Sequence, residues 1–209
     1  MIYSVRRMEG KQMFQTASGV TIPSPEKIQE QFQVYEEQCV RANISFEKLK
    51  PLITEFYRSL PEPLFFVLEI PLSISEERKF GSSGILHHEV CYLDGQTRDQ
   101  MDSIFNSYGQ ILLEDGISQF AIASHFSHEE IFVQKYKLVD LYSPSPRRFI
   151  PLLQRYGLTE TDQLFTVWDT FSREAPGECR RVSIEGVDVF AIAESLKEKG
   201  MYRAKIEED

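Results

Sequence analysis

The chain has 209 residues, of which 42% are apolar and 12% aromatic, with a formal net charge of -9. That is enough chain to bury a sizeable core without metals or crosslinks, and the composition excludes disordered and fibrous classes. The acidity is local, with thirteen acidic against five basic side chains between Pro61 and Asp140 and near balance on either side; such a field repels nucleic acid and anionic lipid and attracts basic surfaces.

The N-terminal MIYSVRRMEGKQMF lacks the apolar run of a secretory signal, and no segment approaches bilayer length. Cys39, Cys91 and Cys179 are far apart and odd in number, which argues against a disulfide framework or a CxxC site and for reduced thiols in a cytoplasmic protein. Met1–Val5 reads as an edge strand, with loops at Gly10 and from Gly19 to Pro23. Ser24-Pro25 has the form of a helix start, and Ile28, Phe32, Tyr35 and Cys39 follow at helical spacing. Ser45 opens a second helix with Leu49, Leu52, Ile53, Phe56 and Leu60 on one side; Pro51 inside it predicts a late start or a kink.

Pro61-Glu62-Pro63 ends that helix, and LFFVLEI, Leu64 to Ile70, reads as a buried strand. Ile85 to Leu93 is the next strand, closed by an Asp94-Gly95 turn, and Thr97 with Gln100 has capping-box form before a helix carrying Met101, Ile104, Phe105, Tyr108 and Leu112. A central hairpin spans Ile117 to Tyr142, its arms Ile117–Ser124 and Ile131–Tyr142 joined by the polar His125–Glu130. Ser145-Pro146 opens a short helix with Phe149, Leu152, Leu153 and Tyr156, stopped at Gly157. Leu164–Phe171, bearing Trp168, and Arg181–Glu185 read as strands, Val187–Lys199 as a helix ending at Gly200, and Met201–Ile206 as a last strand.

These elements predict one α+β domain over residues 1–209, with an antiparallel or mixed sheet and helices packed on one face. The ungapped match of PLITEFYRSLPEPLFFVLEI from Pro51 with PLLQRYGLTETDQLFTVWDT from Pro151 adds a possible duplication. Its halves, 46–124 and 145–206, would each read helix, strand, strand, helix, strand and be joined by the hairpin 117–142.

Chemistry has thin support. His87-His88-Glu89 and His125 with His128-Glu129 lack HExxH spacing, and on a strand His87 and His88 face opposite sides. Glu69 and Asp169 occupy matching positions of the two halves and form the minimum pair for acid-base work. No GxSxG, GxGxxG or GxxxxGK[ST] occurs, so no catalytic, metal or cofactor residue is assigned and no cofactor is expected. Arg147-Arg148 stand in the first turn of a helix, where the macrodipole disfavours cations.

In size, acidity, sheet-plus-helix grammar and want of a catalytic set, the chain resembles the bacterial polymorphic-toxin immunity proteins. The resemblance implies a small cytoplasmic protein that is not an enzyme and blocks a toxin, often a basic nuclease, by binding it. A basic protein partner would dock on the acidic middle of the chain, with Asp94, Asp99, Asp102, Glu114, Asp115, Glu129, Glu130 and Asp140 supplying charge. Phe126 and Phe132 would supply apolar anchors. Two alternatives stand beside this one: a small hydrolase or metal-assisted enzyme using Glu69, Asp169 or the histidines, and a structural oligomer.

Overall fold

A run as apolar as LFFVLEI is expected to have cover on both sides, and Leu64–Pro71 forms a strand whose first five side chains are all buried. The computed structural model describes residues 14–35, 37–81 and 84–208, so the strand expected over Met1–Val5 lies outside the described residues. The chain begins with β1 (Val20–Thr21), a 3-10 turn (Pro25–Lys27), β2 (Gln31–Tyr35), β3 (Cys39–Ala42), α1 (Phe46–Ser59) and β4 (Leu64–Pro71). It continues through α2 (Ile74–Glu77), β5 (His87–Gln96), α3 (Arg98–Glu114), β6 (Gln119–Ser124), β7 (Glu129–Val133) and β8 (Val139–Tyr142). Last come α4 (Ile150–Arg155), β9 (Thr159–Glu160), β10 (Glu178–Cys179), α5 (Val189–Lys197) and β11 (Tyr202–Glu208).

Among the described residues nine strands form one sheet in the order β11-β5-β4-β6-β7-β8-β3-β2-β9, and β1 pairs with β10 in a second. Among the described strands of the large sheet only β2 and β9 run parallel. This is an α+β fold. Among the described residues no helix is long and apolar enough to cross a membrane.

Strand alternation divides β4 between two layers. Leu64, Phe66, Leu68 and Ile70 face α1, α3 and α5 and join the main core with Leu52, Phe56, Phe105, Leu112 and Ile192. Phe65 and Val67 point the other way, into a smaller cluster with Val90, Ala121 and Ala123 that contains no helix residue. The helices form where their signals stand: Thr97 accepts from Gln100 N–H while the Gln100 side chain accepts from Thr97 N–H. Asp188 Oδ1 accepts from Ala191 N–H at the start of α5. α1 starts at Phe46 and continues through Pro51, so it does not start late.

Elsewhere the chain departs from its sequence pattern for identifiable reasons. The helix expected over Ile28–Cys39 is the β2–β3 hairpin, because QFQVY alternates as well as it spirals: Phe32 and Val34 meet Ala42 and Val40 across the strands. Asp94-Gly95 is not a turn but a bulge within β5, where Phe65 faces two residues between the pairs Leu64↔Gln96 and Phe66↔Leu93. Gly95 takes φ +71, which glycine adopts without strain. The second hairpin arm breaks in two because Tyr136 and Lys137 turn back with φ 58 and 61, and β7 pairs with β8.

The strand expected at Leu164–Phe171 is replaced by a 3-10 turn, Val167–Thr170, since Asp169 accepts from both the N–H and the hydroxyl of Thr166. Arg181–Glu185 contributes only the single bridge Ile184↔Val187. Residues 145–206 do run helix, strand, strand, helix, strand as α4, β9, β10, α5 and β11. But β9 and β10 are two residues each and pair with β2 and β1, whereas β4 and β5 are long and pair with each other.

Candidate functional site

The helix-free face of the sheet is assembled by register. One row of side chains, Tyr202, Tyr92, Val67, Ala121, Phe132, Asp140, Arg41 and Gln33, runs across eight strands. The next row carries Phe65, Ala123, Glu130, Tyr142, Cys39 and Tyr35, and Glu69 lies beside Val90 and Gln119 on the other flank. Ala121 and Ala123, both buried, lie beneath the larger side chains of Phe65, Val67, Tyr92 and Phe132.

Four rings stand side by side along one end of this face. His125 stacks on Phe65 at 4.2 Å, Phe65 on Tyr92 at 6.0 Å, and Tyr92 on Tyr202 at 6.3 Å. Asp94, turned out by the bulge, accepts from the Tyr202 hydroxyl at 2.8 Å and lies 3.8 Å from His125 Nε2. Phe126, in the adjoining turn, is 79% exposed.

The carboxylates on this face differ sharply. Asp140 is fully buried and fully engaged: Arg41 grips both its oxygens at 2.8 Å, and Gln134 and Tyr142 donate to it as well. Glu69 accepts from Gln119 Nε2 at 2.9 Å and lies 3.7 Å from His88 Nε2; burial pushes its pKa up, with the nearby His88 charge opposing. Glu130 is half-buried, and its pKa is raised first by burial and then by the like charge of Glu69. Among the described residues the Glu130 carboxylate has no hydrogen-bond or ion-pair partner. Desolvation without a counter-charge favours the neutral form, and a cation placed beside it would reverse that.

Of the ten acidic and aromatic positions expected to meet a partner, Asp94, Phe126, Glu130, Phe132 and Asp140 come together on this face or its rim. The others do not. Glu129 points to the helix side, 2% exposed, held by Ser143 Oγ at 3.0 Å and Arg148 Nη1 at 2.8 Å. That contact also neutralises the unfavourably placed Arg148. Asp115, fully buried, ends α3 by accepting from the N–H groups of Ile117, Ser118 and Val182. Asp102 takes the Tyr57 hydroxyl and Arg58, whose guanidinium holds its pKa low. Glu114 accepts from Ser18 N–H, and Asp99 is exposed in the first turn of α3. Burial takes Glu129, Asp115 and Asp140 out of any docking surface: they hold the fold.

The acid-base pair does not assemble. Asp169 caps a 3-10 turn, whereas Glu69 sits on β4 among Gln119 and His88. The histidines divide as strand geometry requires, His87 against Glu77 and Phe80, His88 toward Glu69 and Glu207. Among the described residues no group of three or more His, Cys, Asp or Glu could hold a metal ion. Sequence reasoning missed Phe65, Tyr92, Tyr142 and Tyr202 as site residues; the usable signal was the alternation of Phe65, Val67 and Glu69 in β4. Comparison of the chain with protein-family models, curated proteins and solved structures finds no match.

Proposed function

We propose that this chain is a non-enzymatic cytoplasmic binding protein that captures a basic protein surface on the helix-free face of its sheet. The partner is a toxin that it neutralises, the role of the immunity proteins it resembles. The observation that carries the reading is Glu130: a carboxylate held partly out of water, within the field of Glu69, with no cation among the described residues. A lysine or arginine of the partner would supply the missing charge, and Phe132 and Tyr142 flank the place where its aliphatic stem would lie. Phe126 offers a large apolar side chain at the rim, of the kind that anchors interfaces. Acidic charge around these groups acts on association rate and specificity.

The test is co-expression with the product of the gene beside its own, followed by affinity measurement on the purified pair. Growth inhibition by that product should be relieved by the wild-type chain and not by Glu130→Lys, with affinity falling at least about 100-fold as a charge pair becomes a repulsion. Asp94→Lys, at the rim, should act mainly on the association rate and its salt dependence. A harmless neighbour removes the antitoxin role; unchanged affinity in a folded Glu130→Lys variant removes this face as the site. Charge reversal at Glu129 is uninformative here, because that side chain is buried against Arg148.

A further inference from the structure

β11 closes one side of the large sheet, and among the described residues no strand lies beyond it. Which of its backbone groups face outward follows from its neighbour. The His87 carbonyl accepts from Leu72 N–H on the β4 side. In an antiparallel ladder the N–H and C=O of one residue point the same way and the direction alternates along the strand. His88 and Val90 therefore turn toward β11, where they face Glu207 and Lys205. Ile206 and Glu208 are left presenting N–H and C=O to the open edge.

The side chains sort by the same alternation. Lys205 and Glu207 lie on the helix-free face with Val90 and His88, while Ile206, 37% exposed, lies on the helix-bearing face with Glu89. More exposed apolar side chains, Ile74, Phe80, Ile85 and Leu86, occupy the segment running into β5. That segment is tied to the edge: Glu76 of α2 takes Arg203 of β11 at 2.9 Å.

We propose that this edge pairs antiparallel with β11 of a second copy of the chain, about a two-fold axis through Ile206. In that register the two Ile206 residues exchange N–H···O=C bonds, and Lys205 of each copy falls opposite Glu207 of the other. Both charges are then on one face, in the narrow pair where Cα atoms approach to about 4.5 Å. Charged side chains ordinarily keep sheet edges apart; here they choose the register. A two-fold axis through Lys205 would set lysine against lysine, and one through Glu207 glutamate against glutamate. An axis between residues would put side chains of opposite faces together. The inference is independent of the proposed function, and it would place two helix-free faces side by side in one continuous sheet.

Sedimentation equilibrium over a range of concentrations tests it. The expected result is a reversible species of twice the 24.3 kDa chain mass. Lys205→Glu and Glu207→Lys should each weaken it by about tenfold or more, since every pair occurs twice. The double exchange, Lys205→Glu with Glu207→Lys, should restore it. Ile206→Pro should abolish it while circular dichroism stays unchanged, because the N–H it removes points away from β5. A chain monomeric throughout, a dimer that survives Ile206→Pro, or a double exchange that fails to restore pairing would each overturn the proposal.

Discussion

One acidic side chain of the helix-free face, Glu130, is treated differently from those of the helix-bearing face. On the helix-bearing face Glu129 meets Arg148 and Ser143, and Glu89 meets Arg203 at 3.3 Å and Lys197 at 3.7 Å. On the helix-free face Asp140 has Arg41, yet Glu130, on the strand alongside, has no counter-charge among the described residues. Taking a carboxylate out of water is costly unless a counter-group replaces the lost hydration. Where the counter-group is internal, the acid holds the fold. Where none lies among the described residues, the fold bears a cost that an external cation would relieve, and on this the proposed docking rests.

The largest effect is expected at Asp140. Arg41→Ala leaves a fully buried carboxylate without its bidentate partner and should cost about 3–5 kcal/mol in urea unfolding; a loss within about 0.5 kcal/mol would mean that the pair is not desolvated. Adjacent phenylalanines then compare the two layers directly. Phe66→Ala, in the main core and fully buried, should cost about 3–5 kcal/mol. Phe65→Ala, at the solvent margin of the helix-free cluster, should cost about 1–2 kcal/mol. Equal losses would show that both faces are equally closed.

The smallest effect has the opposite sign. Because burial raises the Glu130 pKa above its ordinary 4.5, the native state holds this proton more tightly than the unfolded chain. The stability that the proton contributes is fully present below the ordinary value and is lost as pH rises through the folded pKa. Glu130→Gln should therefore stabilise the free protein by about 0.5–1 kcal/mol at neutral pH, with the gain vanishing in thermal melts at acid pH, while binding is weakened. A destabilised glutamine variant at neutral pH would mean that Glu130 has an internal cation after all.

Local signals were legible where one interpretation dominated. The Thr97 capping box, the apolar run of β4, the Ser145-Pro146 start and the glycines at 157 and 200 all mark boundaries close to those found. Ile28–Cys39 failed because its apolar positions satisfy two periods, and only the partner strand β3 chooses between them. Leu164–Phe171 failed because a short Thr166–Asp169 cap outweighs apolar content. The site was half legible for a similar reason. Glu129 and Glu130 are neighbours with identical chemistry, and only the phase of the strand sends one inward to Arg148 and the other to the helix-free face. Nor does charge reveal that Asp140 is claimed by Arg41, 99 residues earlier.

The order of strands also sets a schedule for synthesis. Both outermost strands, β9 and β11, come from the last third of the chain, whereas their neighbours β2 and β5 are complete by Tyr35 and Gln96. About a hundred residues separate the end of β5 from the start of β11; at about 5–20 residues per second the ribosome needs on the order of 10 s to supply them. Throughout that interval β5 is itself an outermost strand, with the backbone groups of His88 and Val90 that turn toward β11 unsatisfied. The nascent chain is thus most prone to mispairing while only its final segment is missing, and a chain stopped short of Tyr202 stays in that condition permanently.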